Sequence, residues 1–364
     1  MKHLCLIYNF APKYREGIFR LIDQSYDCDW YFGKNSTDIK GLDLSTLHNA
    51  TEIPSKKVVG NWYWQKGVIG LLGKYETFFM LGELYCLSTW LMAFLARFCP
   101  KKKVYFWSHG WYGKETFAKK VLKKIFFRLA NGTFLYGNHA RKLMIENGFN
   151  GNKLFVIHNS LDYDAQLKLR HEITPSDIYT RHFGNNNKTL LFIGRLTEVK
   201  RLDMLIQAVA KLKQEGKQYN IVLVGDGVMK DALQKQAAEA GVNVWFYGAC
   251  YDERTNAELI YNADLCVAPG NVGLTAMHTM VFGTPVITHN DFKWQMPEFE
   301  AIKASETGDF FTRGDVESLS KAIERWFDKH GNDRNKVRQA CYNEIDTQWT
   351  PQFQIEVIKK NLIC

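Results

Sequence analysis

Two cations and a run of small residues mark the part of the chain best suited to chemistry. Gly194-Arg195-Leu196 follows an apolar run, Thr189 to Ile193, that reads as a β-strand, and Lys200 stands four residues past Leu196. A guanidinium and an ammonium in one loop at a strand's carboxyl end can neutralise a departing diphosphate, a task that falls elsewhere to a divalent metal. Farther on, Pro269-Gly270-Asn271-Val272-Gly273-Leu274 leads from a second apolar run into a helical stretch through Met280. Its small residues let a ligand approach backbone N–H groups, and helix N-termini bind phosphate. Gly225-Asp226-Gly227 and Gly283-Thr284-Pro285 punctuate two further strands, and each piece taken singly also fits an ordinary turn. In the first half, His109 follows the apolar run Val104 to Trp107. An unperturbed imidazole pKa near ~6.5 would let it give or take a hydrogen bond or proton at working pH, although a single histidine after a strand is often structural.

The elements that must hold these loops alternate between strand and helix patterns. Leu4 to Tyr8, Thr77 to Leu81, Val104 to Trp107, Thr133 to Tyr136 and Leu154 to Ile157 read as strands, with helices over 85–98, 115–129 and 139–147 between them. The polar segment Glu172 to Lys188, with Pro175, Gly184 and three consecutive asparagines, reads as a linker. From Thr189 the rhythm restarts: a helix carries Leu202, Leu205, Ile206, Val209 and Leu212 on one face, and strands follow at 220–224, 242–247, 265–268 and 285–288. Such near-continuous apolar strands belong to parallel sheets covered on both faces, whose ligands lie beyond the strand carboxyl ends. The expected fold class is therefore α/β, with two Rossmann-like domains over 1–172 and 173–345. Trp349, Pro351, Phe353, Ile355, Val357, Ile358 and Leu362 suggest a terminal helix over 346–364 that returns toward the first domain.

A length of 364 residues suits two domains, and a composition 46% hydrophobic and 23% charged excludes disorder. The eight cysteines are scattered without a C-x-x-C pair, as expected of reduced thiols in a cytosolic protein. The run Lys2 to Phe10 lacks the length and cleavage site of a signal peptide. Glu83 and Arg97 interrupt the apolar stretch Thr77 to Phe98, so a buried helix is expected there instead of a membrane span. Charge is uneven: of the net +9, residues 1–182 hold 26 Lys/Arg against 15 Asp/Glu. Lys101 to Lys103 with Lys119, Lys120, Lys123 and Lys124, interleaved with Trp62, Tyr63, Trp64, Trp90, Trp107, Trp111 and Tyr112, point to an anionic membrane interface or a sugar-stacking surface. Solvated lysines and core aromatics would present the same composition.

In this order and spacing the pieces resemble glycosyltransferase family 4 of the GT-B class, whose two Rossmann-like domains have parallel sheets facing across a cleft. The match rests on Gly194-Arg195-Leu196 with Lys200, Gly225-Asp226-Gly227, Val244 to Gly248, Ala263-Asp264-Leu265, Gly273-Leu274 and Gly283-Thr284-Pro285-Val286. Leu135-Tyr136-Gly137-Asn138 and Asn159-Ser160-Leu161-Asp162 resemble the strands that close the family's first domain. The resemblance implies that Arg195 and Lys200 bind the nucleotide diphosphate beside Gly194 and Gly225. It also implies that backbone from Gly270 through Asn271, Val272 and Gly273 to Leu274 completes the phosphate site, and that Tyr247 lies near the base. His109 fits the family's sugar-facing histidine, and the transfer implied is retaining, with no bound metal.

This sequence departs from the family at two places. The family carries two glutamates eight positions apart, the first reaching the donor sugar and the second its ribose, where this chain has Gly270 and His278. His278 could still donate to ribose or pyrophosphate, and Asn271 could meet sugar hydroxyls. Asp27-Cys28-Asp29 and Asp162-Tyr163-Asp164 resemble the metal triplets of the unrelated GT-A enzymes, but read as turns. The resulting expectation is a cytoplasmic transferase, peripheral on the inner membrane face, acting in bacterial surface-polysaccharide synthesis. Its partners are a nucleotide-sugar donor, UDP-linked ahead of GDP-linked, and a glycan or lipid-linked acceptor, with no nucleic acid. A catalytically silent nucleotide-sugar-binding protein and a GT-B epimerase are the alternatives.

Overall fold

The computed structural model describes residues 4–34 and 39–362. The chain forms two compact units, one of residues up to Asp162 together with those from Thr350 onward, the other Tyr163–Trp349.

The first unit is a parallel sheet of seven strands. In chain order they are β1 Leu4–Tyr8, β2 Cys28–Gly33, β3 Ala50–Ile53, then an antiparallel hairpin of exposed β4 Ser55–Val59 and partly buried β5 Trp62–Gln65, followed by β6 Thr77–Leu81, β7 Lys103–Ser108, β8 Gly132–Leu135 and β9 Leu154–Val156. Their spatial order is β3-β2-β1-β6-β7-β8-β9. Side chains alternate across the sheet, so each strand feeds two cores. Leu4, Leu6 and Tyr8 face the core shared with helix α1 (Glu16–Ser25) and the C-terminal helix Pro351–Asn361. Cys5 and Ile7 face the opposite core, filled from α2 (Leu87–Ala96), α3 (Phe117–Leu129) and α4 (Asn138–Glu146) by Met92, Ala93, Phe126, Phe127 and Met144.

The C-terminal helix is thus an integral part of the first unit. Ile355, Ile358 and Leu362 join its core, and buried Gln354 donates to the His158 carbonyl at 2.9 Å while accepting from Ser160 Oγ at 2.6 Å. Gly17 of α1 lies so close to Pro351 that a Cβ there would sit 3.0 Å from the proline ring.

The second unit is a six-stranded parallel sheet in the order β12-β11-β10-β13-β14-β15. Its elements run α5 Tyr163–Glu172, α6 Ile178–Phe183, β10 Lys188–Ile193, α7 Leu202–Gln214, β11 Tyr219–Val224, α8 Lys230–Ala240, β12 Val244–Gly248 and α9 Glu253–Asn262. They continue with β13 Leu265–Ala268, α10 Thr275–Met280, β14 Val286–His289, β15 Gly308–Phe311, α11 Val316–His330 and α12 Arg334–Gln348.

Four sequence expectations need correction. The boundary falls after Asp162, ahead of the expected 172/173, because α5 is tied into the second unit by Gln166 to Glu253 and by the paired Arg170–Asp346 contacts. The segment expected to be a linker contains α6, whose Tyr179 hydroxyl bonds the Leu259 carbonyl and whose neighbour His182 stacks on Trp245 at 3.8 Å. Three aromatic rings in a polar run anchor it. Neither Asp triplet is a turn: Asp29 lies within β2, where it accepts from the Tyr75 hydroxyl, and Asp164 lies within α5. Of the aromatics read as surface, Trp107 and Trp111 are core residues at 2% and 1% exposure.

The cysteines other than Cys364, which lies outside the described residues, carry no disulfide. Among the described residues no helix is long and apolar enough to cross a membrane. Because Ile358 is fully buried, Ile358→Ala is expected to lower unfolding free energy by about 2–5 kcal/mol, read from chemical denaturation. An unchanged midpoint would contradict the docking of this helix.

Candidate functional site

β10 pairs with β11 on one side and β13 on the other, so the loops after β10 and β13 diverge at the point where strand order reverses. That geometry gathers the glycine loops. Gly194 N–H donates to the Val224 carbonyl, Leu196 N–H to Asp226 and Gly225 N–H to Gly248, laminating three loops at 2.8–2.9 Å. A Cβ on Gly225 would lie 1.9 Å from the Gly194 carbonyl oxygen, so only glycine permits this stacking.

Lys200 is the pivot of the site. Its Nζ donates to both the carbonyl and the side-chain Oδ1 of Asn271, each at 2.8 Å, while the Gly270 amide donates to the Lys200 carbonyl at 2.9 Å. The lysine loop and the loop leading to α10 are therefore held together by three hydrogen bonds. Burial pushes the Lys200 ammonium down to about 8, opposed by the charge of Glu298 and assisted by that of Arg195. Arg195 itself is exposed, and its side chain makes no hydrogen bond or ion pair to any described residue. The two cations predicted from sequence are thus close enough to feel each other, one fixed and one free to reach a ligand.

The backbone of 270–274 divides in two. The amide of Gly270 is taken by Lys200 and that of Val272 by buried Gln295 Oε1 at 2.9 Å, so these two predicted phosphate donors are already engaged. The Gly273 and Leu274 amides bond to no described residue and remain able to donate. Gln295 also donates to Thr288 Oγ1 and the His289 carbonyl, and Thr275 Oγ1 ties α10 to the Ile193 carbonyl at the end of β10. Sequence reading missed Gln295, Glu298 and Glu253. No local signal distinguishes them, since only tertiary packing brings them to the loops.

The two departures from the family acquire physical reasons. A Cβ at Gly270 would lie 1.9 Å from the Val199 carbonyl oxygen and 2.7 Å from Lys200 Cα, so a side chain is excluded there. His278 does not stand free: its Nε2 is 2.9 Å from Glu253 Oε1, which also accepts from Gln166 Nε2 at 2.8 Å. Burial would raise the Glu253 carboxyl, but His278 and Gln166 hold it below the usual carboxylate range. A carboxylate absent from α10 is therefore supplied beside it from the start of α9. Tyr247, near the end of edge strand β12, is half-buried against Trp245 at 5.1 Å, and burial raises its phenol.

In the first unit, His109 follows β7, and its loop is fixed from within. Buried Lys123 donates to the Gly110 carbonyl and to Glu115, which in turn accepts from the Tyr112 and Gly113 amides. The imidazole rests on Tyr136 at 4.6 Å, and its Nδ1 has no hydrogen-bond partner among the described residues. Burial, then Arg15 and Lys123, push its pKa down to about 4. The expected titration near neutrality does not survive this environment: His109 is a neutral imidazole at physiological pH.

Residues 180–344 match the family described as Glycosyl transferases group 1. Over 145 residues the chain is 32% identical to an uncharacterized glycosyltransferase of Methanocaldococcus jannaschii, covering 37% of this chain and 36% of that protein. Over 192 residues it is 30% identical to a glycogen synthase of Francisella tularensis, covering 48% and 38%. The matched segments span well under half the length of these relatives. HepE of Anabaena, solved in complex with UDP, superposes with a TM-score of 0.72 over 99% of each chain at 18% identity. The chain accordingly has the GT-B fold, and its match to the group 1 glycosyl transferases lies within the second unit.

Proposed function

We propose that this protein is a hexosyltransferase of the family 4 type. It transfers one sugar from a nucleotide-sugar, UDP-linked ahead of GDP-linked, to a glycan or lipid-linked glycan, with retention and without a resident metal. Its setting is bacterial surface-polysaccharide assembly, of capsule or lipopolysaccharide, at the inner membrane face. In the reaction the bond from the sugar's anomeric carbon to the diphosphate oxygen breaks, and its electron pair leaves with the diphosphate. An acceptor hydroxyl oxygen bonds the same face of that carbon, and its proton passes to the departing diphosphate oxygen. The observation that carries this reading is the paired cation site, Lys200 clamped on Asn271 beside unpartnered Arg195, at the carboxyl ends of the sheet. Fixed positive charge aimed where a leaving diphosphate gains negative charge is the largest contribution a metal-free site can make. The solved complex of HepE with UDP supports the choice of base.

One observation favours a second reading. Gly270 cannot carry a sugar-orienting side chain, as expected of a nucleotide-sugar-binding protein without turnover. Binding of UDP-sugars with no release of UDP across an acceptor panel would establish it in place of the first.

Arg195→Ala is expected to weaken UDP binding by roughly 10- to 100-fold in calorimetric titration, the loss of one charge-assisted contact, with thermal unfolding unchanged because the side chain is exposed. UDP affinity should be level below about pH 8 and fall above it, since the diphosphate binds the protonated Lys200 and that ammonium is depleted as pH rises through its value. Lys200→Arg should remove the fall, whereas affinity level to pH 10 in the unaltered protein would contradict the assignment.

His109, neutral above about pH 4, should act without titrating. His109→Gln should lower the transfer rate while leaving the shape of the profile unchanged between roughly pH 5 and 8. Loss of an inflection near pH 6.5 on substitution would show that the imidazole does titrate there.

A further inference from the structure

The sheet face opposite the C-terminal helix is covered by α2 and α3, and their outer sides are unusual for a surface. On α2 and the turn after it, Leu91, Phe94, Leu95 and Phe98 recur at helical spacing with exposures of 37%, 50%, 37% and 73%. On α3, Phe117, Val121 and Ile125 do the same at 84%, 43% and 53%. The inner sides of both helices, Met92, Ala93, Ala96, Phe126 and Phe127, enter one core cluster, and Trp90 of α2 meets Phe126 of α3 at 4.9 Å. Two neighbouring helices that bury their inner faces against the same side of one sheet present their outer faces in the same direction. Single exposed apolar residues need no account, but seven on adjoining helices form a patch that ordinarily marks an interaction surface.

The charge around this patch selects its partner. From Glu83 to Glu146 the chain has twelve lysines and arginines against three carboxylates, Glu83, Glu115 and Glu146; Glu83 lies within electrostatic reach of Lys119 and Lys123, and Glu115 is buried on Lys123. Arg97, Lys101, Lys114, Lys119 and Arg128 are exposed, and Lys102, Lys103, Lys120 and Lys124 are partly so. Apolar side chains ringed by cations suit a surface with an apolar interior and an anionic rim, which is an acidic lipid bilayer. A second copy of this chain would bring the same cations face to face, and like charges across an interface oppose association.

We infer that the outer faces of α2 and α3 dock the first unit onto anionic membrane, with Phe94, Phe98 and Phe117 inserted among the acyl chains and the flanking lysines on the headgroups. This deepens the membrane side of the proposed function and draws on that reading for the lipid-linked acceptor alone; the surface argument stands on burial and charge. The long, flexible lysine stems let their charges reach the headgroup plane while the rings lie below it.

Co-flotation of the full chain with vesicles of phosphatidylglycerol and phosphatidylcholine, compared with phosphatidylcholine alone, tests this. Binding is expected to the acidic vesicles, to weaken with salt, and to fall at least about tenfold in Phe94→Ser/Phe98→Ser/Phe117→Ser, since each buried ring contributes that much on its own. A second variant, Lys101→Gln/Lys119→Gln/Lys120→Gln, should lose the preference for acidic lipid while keeping weak binding to either vesicle. UDP titration on every variant confirms that the second unit is intact.

Absence of flotation at low salt, or flotation unchanged in the phenylalanine variant, would overturn the inference, as would a concentration-dependent dimer that this variant dissociates. Flotation without any sugar transfer would sink the transferase reading and leave the docking surface standing. Transfer to a soluble acceptor without flotation would do the reverse.

Discussion

The approach of Gly270 to Lys200 sets the geometry of the candidate site in the second unit. The Gly270 amide bonds the Lys200 carbonyl, and a Cβ would collide with the backbone of residues 199 and 200. That approach places Asn271 where its carbonyl and side-chain oxygens both receive the Lys200 ammonium. The ammonium is thereby half-buried, and burial brings its pKa down to about 8. A cation held this way is costly to desolvate, and the cost is offset by two acceptors and the charge of Glu298. The lysine is consequently fixed in position without being neutralised by a direct salt bridge, which leaves its charge available to an incoming anion.

The same contact explains why the site could be read only in part from sequence. Gly225 and Gly227 were legible because each loop must come within van der Waals range of the next, and Gly194 because its positive φ favours glycine. Arg195 and Lys200 were legible because cations at a strand end have few structural duties. Glu253, Gln295 and Glu298 were not, since a helix start, a short turn and a Pro-Glu pair carry no local mark of function. Their meaning comes from the order of strands, which sequence periodicity does not specify. His109 was found by position, but its ionisation was misjudged because the lowering arises first from burial and then from the charges of Arg15 and Lys123, all set by tertiary packing.

For the fold, the strongly apolar strands of both sheets stood out, and β1, β6, β7, β8, β10, β11 and β13 fall where alternation and turn chemistry place them. Three of the misses share one cause. β2, the linker segment with α6, and α5 all carry polar residues satisfied by specific partners: Asp29 by Tyr75, Tyr179 by the Leu259 carbonyl, and Gln166 by Glu253. A polar side chain with a dedicated tertiary partner looks, in sequence alone, like a side chain in water. Composition therefore overstates loops wherever buried hydrogen bonds do the work of apolar packing.

The two family glutamates missing at positions 270 and 278 are replaced unequally, and the inequality bears on what the site can recognise. At 278 the carboxylate has moved across to Glu253, held ionised by the very histidine that took its place, so negative charge remains near the second position. At 270 nothing substitutes, because the backbone of 199 and 200 already fills the volume. Polar groups near the first position therefore come from the Asn271 side chain, itself committed to Lys200, and from the Gly273 and Leu274 amides. Backbone donors recognise acceptor oxygens but cannot accept from hydroxyls, whereas a glutamate can only accept. A donor sugar whose hydroxyls were oriented by accepting carboxylates elsewhere in the family would lose that contact here. For phosphates, which only accept, the Gly273 and Leu274 amides remain, while those of Gly270 and Val272 are engaged by Lys200 and Gln295. Under the proposed transfer, donor-sugar specificity would rest on residues outside positions 270 and 278.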